Sequence, residues 1–522
     1  MIPRAKTPEA VGVDSKEVQA FLDDCIRLHR ELHSIIVMRH GKIACEIYRA
    51  PYAADRVHMM YSISKSFTST AIGFAIAEGL IALNTRIVDL FPDVRGKKED
   101  PYLEALCVED LLTMRSGLSV TPFMDKTKDN WFRTILGSPW ASKPGTEFFY
   151  ISENMYLLCC IIHQVTGGNV VDFLMPRLFE PLGIERPFWE TDPRGIETGG
   201  WGLMLKTMDL AKFTLLYQQN GKWNGKQILP KGWVEQATRF HTRTDNSEQM
   251  LDTQAGYGYC FWRSHGYENS YRADGMFSQT GIVFEDWDAC LVITAGDANE
   301  QAMHDVTWAH FPKAFMDDAP DAETTPLSLP SYRRLPKRLR PATEQKLIGK
   351  RIVFSRSLLL NAIGYPVSVA PLPTTFMGKD PAGNITNVRF APQGDALEMQ
   401  WTEGSVTNTI LIGMDGDYRE TRITLGSMPL TILAVGCWNS DVELELMIRP
   451  IEAVAARRLV FTFFGNAVRL QPAALPPTSE MGKVLAVQVR SVFKSELIAR
   501  PLELALPHMG PLVDMPQVGV LV

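Results

Sequence analysis

Ser62 and Lys65 stand three positions apart at the start of a predicted helix. Residues three apart share one helix face, so the hydroxyl and the amine would lie close enough to exchange a proton. A serine hydroxyl attacks a carbonyl only when a base removes its proton, and an amine can be that base when burial or a nearby cation lowers its pKa. The spacing therefore indicates acyl transfer through a covalent intermediate on Ser62.

The pair alone is weak support, because Ser491 and Lys494 repeat the spacing near the C-terminus without any accompanying motif. A serine that caps a helix and a lysine in solvent explain an isolated pair more simply. The residues that surround Ser62 decide between the two interpretations.

Four segments around Ser62 follow one another in the order seen in a known family. They are SISK at 62–65, LLTMRSGL at 111–118, PGTEFFYISEN at 144–154 and GGWGLMLKTMDLAKF at 199–213. On these segments the chain resembles the class C β-lactamases and penicillin-binding-protein-like serine hydrolases, a family of esterases, amidases and peptidases. The resemblance covers about residues 7–315. It implies an α/β (α+β) β-lactamase/transpeptidase-like domain, in which an antiparallel sheet flanked by helices adjoins a helical subdomain.

The resemblance implies that Tyr150 is a second proton-handling residue beside Ser62 and Lys65, with its phenol pKa lowered by the ammonium group. An aromatic core residue within an FFY run is the structural alternative. Where the family often has asparagine two places after the tyrosine, this chain has Ser152. An asparagine follows only at Asn154, where it could instead cap the next helix. Both residues are candidates for substrate binding.

The Ser-x-x-Lys motif and the tyrosine segment are the first two motifs of the family. By the same resemblance, Gln279, Thr280 and Gly281 form the third element, an edge strand that lines the substrate cleft. The backbone N–H groups of Ser62 and Ile282 would then form the oxyanion hole. Gln279 stands where the family usually has lysine or histidine, and a neutral amide binds a substrate carboxylate less strongly than a cation does. We therefore expect a carboxylesterase-like or amidase-like enzyme with weak or no β-lactamase activity.

Other functions remain open at this point. An acyltransferase or a D-amino-acid peptidase would use the same acyl-enzyme, and a catalytically inactive binding or assembly protein would keep only the cleft. A Ser/His/Asp triad is disfavoured, because the sequence has no Gly-x-Ser-x-Gly motif. His29 and His33 lie four apart on the first predicted helix, but no third ligand with suitable spacing accompanies them. No metal or other cofactor is expected.

The elements that position these residues follow from periodicity and turn residues. A helix over 16–33 precedes two strands, SIIVMRH and KIACEIYR, joined at Gly41. Further helices are predicted over 62–79, 154–165 and around 304–315, and further strands in GYGYCFW, MFSQTGIVF and CLVITAG. Strands at both ends of a helical middle predict one sheet within a hydrolase domain of residues 1–318.

The remaining chain predicts a second domain. Residues 319–344 are rich in proline and charge and are interpreted as a linker. Residues 345–522 contain short strands with turns, which predicts a mostly antiparallel β domain, a sandwich or barrel-like module, of unknown role. This domain is also the candidate surface for a homo-oligomer.

Composition restricts the partners and the compartment. A net charge of −6 with 45% hydrophobic residues is typical of a globular protein and gives no basis for nucleic-acid binding. The N-terminus has no apolar run of signal-peptide length, no segment is apolar enough to span a bilayer, and the 8 cysteines lack CxxC spacing. We expect a cytoplasmic protein without membrane contact, whose partner is a small-molecule ester or amide.

Overall fold

A computed structural model describes residues 1–522 of the protein except 97–99, 120–129, 245–249, 333, 355–384, 404–405, 426–427, 455, 478, 481, 484–485, 487–495 and 509–513. The second Ser-x-x-Lys pair, Ser491 and Lys494, lies outside the described residues. The chain forms two compact units, one of Met1–Pro330 and one of the described residues from Ser331 onward. The domain limits predicted from the sequence, residues 318 and 344, stay predictions.

The described residues of the first unit form ten strands and eleven α-helices. The strands are β1 (Leu32–Arg39), β2 (Lys42–Tyr48), β3 (Val57–Met59), β4 (Met204–Lys206), β5 (Lys222–Trp223), β6 (Lys226–Gln227), β7 (Trp262–Arg263), β8 (Ser270–Gly275), β9 (Gln279–Phe284) and β10 (Ala289–Ala295). The helices are α1 (Ser15–Arg27), α2 (Ser64–Ala77), α3 (Ile87–Leu90), α4 (Pro101–Ala105), α5 (Val108–Leu112), α6 (Trp131–Leu136), α7 (Glu153–Thr166), α8 (Val170–Leu174), α9 (Thr207–Gln218), α10 (Trp233–Thr238) and α11 (Glu300–His310).

Six of these strands form one antiparallel sheet in the order β2-β1-β10-β9-β8-β7. The β1–β2 hairpin turns at Gly41, whose φ of 69° suits a residue without a side chain. The strands come from both ends of the unit, since β1 and β2 precede the helical middle and β7 to β10 follow it. This topology confirms the predicted antiparallel sheet flanked by helices.

Both faces of the sheet are buried. On one face, alternate strand residues such as Ile282 and Leu291 share a core with residues of α1 and α11. On the other face, Val283 and Val292 belong to a larger core that includes residues of α2, α7 and α9. This alternation follows from the two-residue period of a strand. Ser62 precedes α2, which packs on this second face of the sheet.

Helices α1 and α11 have boundaries that differ from the predictions. α1 ends at Arg27 rather than continuing to residue 33, because His29 has a left-handed φ of 56° and Leu32 begins β1. α11 begins at Glu300, earlier than the start predicted near residue 304. His29 and His33 therefore do not share a helix face, and the geometry suggested for a metal-binding pair is wrong.

β8 is the sheet strand that the sequence pattern does not predict. The predicted strand GYGYCFW forms regular structure only at its end, in β7. β8 contains Arg272 and Asp274, and charged residues argue against a buried strand. Both charges are compensated, since Arg272 Nε donates to Asp274 at 2.9 Å and His304 Nε2 of α11 lies 3.2 Å from the same carboxylate. A hydropathy pattern misses β8 because burial of these charges depends on their pairing.

No single helix among the described residues is long and apolar enough to cross a bilayer. Glu153–Thr166 and Val170–Phe179 reach the required length and hydropathy only when they are taken together, and a bend of 68° separates them.

The second unit contains a ten-stranded sheet. Its elements are α12 (Ala342–Gln345), β11 (Ile352–Phe354), β12 (Ile385–Gln393), β13 (Ala396–Glu403), β14 (Val406–Gly413), β15 (Arg419–Leu425), β16 (Met428–Ser440), β17 (Glu443–Pro450), β18 (Ala456–Phe464), β19 (Ala467–Leu475), α13 (Glu496–Ala505) and β20 (Gln517–Leu521). The order is β14-β13-β12-β11-β20-β19-β18-β17-β16-β15, and a parallel pairing of Gly413 with Val435 joins β14 to β16, so the sheet closes on itself. Trp401 and Phe461 are among the side chains of its core. The predicted antiparallel β domain is confirmed.

A buried histidine pair lies upstream of Ser62 in the first unit. His33 Nδ1 of β1 lies 2.9 Å from His58 Nε2 of β3, and the Tyr52 ring stacks on His33 with ring centres 3.8 Å apart. Burial lowers the pKa of His58 to about 4. A neutral ring is therefore part of the packed structure that leads into the Ser62 turn.

We expect the first unit to lose stability as the pH falls from 6.5 toward about 4, because the unfolded chain protonates His58 near 6.5 and the folded chain only near 4. The unfolded state then binds more protons within this window, and stability rises with pH across it. His58→Asn removes the titrating ring, so its melting temperature should fall less steeply on acidification than that of the wild type. His265→Asn, at an exposed histidine, is the control. Equal slopes for all three proteins would contradict the expectation.

Candidate active site

Ser62 lies in a 3₁₀ turn, Tyr61–Ile63, between β3 and α2. The helix predicted to begin at Ser62 begins two residues later, at Ser64, and Ser62 belongs to the turn that leads into it. Tyr61 has a φ of 47°, a left-handed conformation that is strained for an aromatic residue. Ser62 itself is partly exposed, as a residue that attacks a substrate must be.

Lys65 lies on the first turn of α2 with its amine against Ser62. Its Nζ is 2.9 Å from Ser62 Oγ and donates to the Gly200 carbonyl at 2.8 Å. Lys65 is 2% exposed, and burial lowers the pKa of its ammonium group to about 7, against weaker opposite effects of Cys260 and Glu153. A substantial fraction of the amine is therefore neutral near pH 7, as a general base must be.

The segment Gly199–Leu203 lies along α2 and holds the Lys65 amine. The first carbonyl of the segment accepts a hydrogen bond from Thr68 Oγ1 at 2.9 Å. A Cβ on Gly200 would lie 2.8 Å from the Cβ of Ser152, which explains why this position is a glycine. The sequence resemblance pointed to this segment but not to the Gly200 carbonyl, for which the glycine pair is the only sequence signal.

Tyr150 completes a group of three side chains. Lys65 Nζ lies 4.8 Å from the centre of the Tyr150 ring, and the Ser62 hydroxyl lies close enough to the phenol to influence its pKa. The ring packs against Trp262 and Tyr257, with ring centres 5.3 and 6.0 Å away. Burial raises the pKa of the Tyr150 phenol above its ordinary value of 10.0, while the nearby Ser62 side chain acts in the opposite direction. The predicted lowering of this pKa is wrong, because desolvation of the phenolate outweighs the other effects.

Of the two residues predicted to follow the tyrosine in the site, only Ser152 lies near it. Ser152 packs against Gly200, whose carbonyl accepts the hydrogen bond of the Lys65 amine. Asn154 is fully buried inside α7, and its Nδ2 donates to the Met114 sulfur at 3.3 Å. Asn154 is therefore neither a helix cap nor a substrate contact in this structure.

The predicted third element does not line the site. Its residues lie in β9, which is an internal strand between β10 and β8 and not an edge strand. The Gln279 side chain is fully buried, and its amide donates to the carbonyls of Phe277 and Ala295 at 3.0 and 2.7 Å. Gln279 is therefore out of reach of a substrate, which contradicts the predicted substrate contact.

The three residues that follow Gln279 in β9 also make their contacts within the fold and not with a substrate. Thr280 Oγ1 donates to the Ala273 carbonyl of β8 at 3.4 Å. A Cβ on Gly281 would lie 2.4 Å from Thr214 Oγ1 of α9, so this glycine permits helix packing and not substrate approach. Ile282 is paired with one residue of β8 and one of β10, which commits its N–H to the sheet rather than to an oxyanion.

The C-terminal end of β8 lies against the turn that carries Ser62, where the sequence predicted β9. A Cβ on Gly275 would lie 2.4 Å from the Met60 carbonyl and 3.3 Å from Ile63 N, so the glycine lets the strand touch the turn that carries Ser62. The next N–H, that of Met276, lies beyond the last residue pair of β8 and β9. The N–H groups of Ser62 and Met276 are therefore candidate donors to an oxyanion.

The two faces of β8 differ in charge. Ala273 shares the face of Gly275 toward α2, since side chains alternate along a strand. Arg272 and Asp274 point to the opposite face, toward His304. Burial would raise the pKa of Asp274, but the charges of Arg272 and His304 lower it to about 2. The charged residues of β8 therefore lie behind the site and not in it.

The described residues contain no group of three or more His, Cys, Asp or Glu side chains that could hold a metal ion. The two histidines of α11 lie within hydrogen-bond distance of carboxylates, His304 of Asp274 and His310 of Glu17 and Asp24.

Comparison with known proteins defines the class. A family model described as Beta-lactamase matches residues 26–310, which is more than half of the chain and includes Ser62, Lys65 and Tyr150. The chain belongs to the beta-lactamase family. This membership confirms the resemblance inferred from the four motifs and the prediction of a β-lactamase-related serine hydrolase.

Two relatives and one solved structure illustrate the similarity. The 6-aminohexanoate-dimer hydrolase of Paenarthrobacter ureafaciens is 25% identical over 265 residues, which cover 47% of this chain and 68% of that protein. The lovastatin esterase of Penicillium rubens is 24% identical over 162 residues, which cover 26% of this chain and 40% of that protein. The octameric penicillin-binding protein homologue from Pyrococcus abyssi has a TM-score of 0.47 and 17% identity, and the match covers 87% of this chain and 97% of that chain.

Proposed function

We propose that the protein hydrolyses an uncharged ester or amide through an acyl-enzyme on Ser62. The observation that carries the proposal is the distance of 2.9 Å between Ser62 Oγ and Lys65 Nζ, at a place where burial lowers the pKa of Lys65 to about 7. A lysine in water would be protonated and would only hydrogen-bond the serine. A desolvated amine can instead accept the serine proton.

In the acylation step, the neutral Lys65 amine accepts the Ser62 proton while Oγ bonds to the carbonyl carbon of the substrate. The carbonyl oxygen becomes an oxyanion, for which the N–H groups of Ser62 and Met276 are the proposed donors. The C–O or C–N bond to the leaving group then breaks. The Lys65 ammonium returns the proton to the departing alkoxide or amine, directly or through the Tyr150 phenol. Ser62 is left as an ester of the acyl group.

Water completes the cycle by the same proton path. Lys65 accepts a proton from water as the water oxygen bonds to the acyl carbon, and the proton returns to Ser62 Oγ as the carboxylic acid leaves. Because burial raises the pKa of Tyr150, this residue enters as a neutral phenol that donates and relays. Lys65 is therefore the proposed base, a choice that the sequence left open.

The substrate is proposed to be uncharged near the scissile bond. Ala273 and Gly275 face the site from β8, and neither carries a charge. A substrate carboxylate, such as that of a β-lactam, would have no cation at this position to bind it. The names of two relatives, a dimer hydrolase and an esterase, agree with an amide or ester as the reacting group.

A substrate panel with a covalent probe tests the proposal. We expect turnover of p-nitrophenyl esters, much slower turnover of a chromogenic β-lactam, and addition of a fluorophosphonate to Ser62, located by peptide mass analysis. Neither turnover nor an adduct would contradict the proposal and favour a catalytically inactive binding protein. Product analysis with an added alcohol or amine separates a hydrolase from an acyltransferase or peptidase.

Two further predictions accompany this function. Assembly of a homo-oligomer through the second unit and a cytoplasmic location stay predictions from the sequence. Sedimentation velocity of the full chain tests the first, and a monomer at all concentrations would contradict it.

A further inference from the structure

Residues 276–278 form the turn between β8 and β9, which we call the oxyanion turn. Its backbone conformation is unusual. Phe277 and Ser278 have φ values of 64° and 66°, in the left-handed region that favours glycine. Two successive residues with side chains keep such a conformation only where neighbouring groups fix it. The turn also carries Met276 N–H, the donor that the mechanism requires beside Ser62. The groups that fix the turn therefore bear on the reaction.

The side chain of Gln279 forms hydrogen bonds with the carbonyl groups of the oxyanion turn. Its Nε2 donates to the carbonyls of Met276 at 3.2 Å, Phe277 at 3.0 Å and Ala295 at 2.7 Å, and its Oε1 accepts from Ala295 N at 3.1 Å. The side chain is 0% exposed, so water does not compete for these bonds. The amide ties the turn to the last residue of β10.

Glu300, the first residue of α11, binds a backbone N–H group of the same turn. Its Oε1 accepts a hydrogen bond from Phe277 N at 2.9 Å. Burial, together with the charge of Asp274, raises the pKa of Glu300 to about 7, yet both protonation states keep an oxygen that accepts this bond. The Phe277 ring packs edge to face on Tyr61, with ring centres 5.3 Å apart, and Tyr61 directly precedes Ser62.

We propose that Gln279 and Glu300 are positioning residues that hold Met276 N–H in the direction of the oxyanion formed at Ser62, an inference that rests on the acyl-enzyme function proposed above. Both act through the backbone of the oxyanion turn and neither touches substrate. An oxyanion donor acts on charge that develops only in the transition state, so loss of its alignment lowers kcat rather than raising KM. Gln279 thereby acquires a role other than the substrate binding predicted from the sequence.

Variants of Glu300 test the hydrogen bond to Phe277. Glu300→Ala should lower kcat for a p-nitrophenyl ester by about 10-fold to 100-fold, with KM changed by less than about 3-fold. Glu300→Gln keeps an oxygen that accepts from Phe277 N and should restore kcat to within about 3-fold of the wild type. Asp305→Ala, at an exposed residue of the same helix, is the control and should leave kcat unchanged. Wild-type kcat in Glu300→Ala, or equal losses in both Glu300 variants, would overturn the proposal.

Gln279→Glu supplies the second test, because it keeps the shape of the side chain but places an oxygen against three carbonyls. We expect a loss of kcat of about 100-fold, slower but complete labelling of Ser62 by a fluorophosphonate, and an unchanged acid limb of the pH profile, since Lys65 is untouched. An acid limb that moves with kcat would overturn the positioning role. If circular dichroism shows Gln279→Glu to be unfolded, the comparison of Glu300→Ala with Glu300→Gln is sufficient to test the proposal. Absence of Ser62 labelling in the wild type would instead refute the proposed function itself.

Discussion

Ser62→Ala is expected to abolish ester hydrolysis and to leave the fold intact. Without Oγ no acyl-enzyme can form, and the loss of a nucleophile from a coupled set costs about 10⁵-fold to 10⁶-fold in kcat. The residue is partly exposed, and its hydroxyl contributes little buried apolar area, so the melting temperature should stay within a few degrees of the wild type. Initial rates with a p-nitrophenyl ester and thermal unfolding by circular dichroism measure the two effects.

Ser491→Ala is the matched control for this substitution. It removes the serine of the second Ser-x-x-Lys pair, for which the sequence shows no supporting motif. Activity should equal that of the wild type. A Ser62→Ala protein that kept more than about one hundredth of the wild-type rate would contradict the assignment of the nucleophile, since general catalysis by the remaining groups is far weaker.

Lys65→Arg and Lys65→Met are expected to lower kcat/KM by about 10²-fold to 10⁴-fold, the range for loss of a general base. Arginine keeps the positive charge but has no neutral form near pH 7, and methionine keeps an unbranched stem without the amine. A lysine that served only as a cation would be replaced adequately by arginine. Near-normal activity of Lys65→Arg would therefore contradict the role of base.

The pH dependence of kcat/KM checks the same role without a substitution. The neutral amine is the active form, and its pKa is lowered to about 7, so the rate should rise with pH through about 7 and be lost on the acid side. An acid limb near the ordinary lysine value of 10.5 would contradict the assignment. Lys143→Met, at an exposed lysine ahead of the tyrosine segment, is the control and should leave the limb in place.

The contact between Ser62 and Lys65 follows from local geometry. A spacing of three residues at a helix start brings Ser62 and Lys65 together in any helical fold, and the observed distance of 2.9 Å agrees with that spacing. The hairpin at Gly41 likewise depends on a local turn. Tyr150 lies far away along the chain, and only the resemblance of its whole segment to a known family placed it beside the pair.

The third element shows where a short match fails. Gln279, Thr280 and Gly281 fit a three-residue pattern, but the end of β8 lies against Met60 and Ile63 on either side of Ser62, and its sequence SYRADG has no apolar run. Its charges are buried because Arg272 and Asp274 pair with each other and with His304, which comes from a helix 30 positions further along the chain. Such pairing has no signature in residue spacing.

The sequence by itself determined the contact between Ser62 and Lys65, the antiparallel sheet flanked by helices, and the family, because each of these depends on spacing within one segment or on the order of segments. The lowered pKa of Lys65, the raised pKa of Tyr150 and the placement of the proposed second oxyanion donor depend on tertiary structure. The physical reason is that a pKa responds to the desolvation produced by everything packed around the group. The backbone N–H that can act as a donor likewise depends on which strand ends beside the turn that carries Ser62.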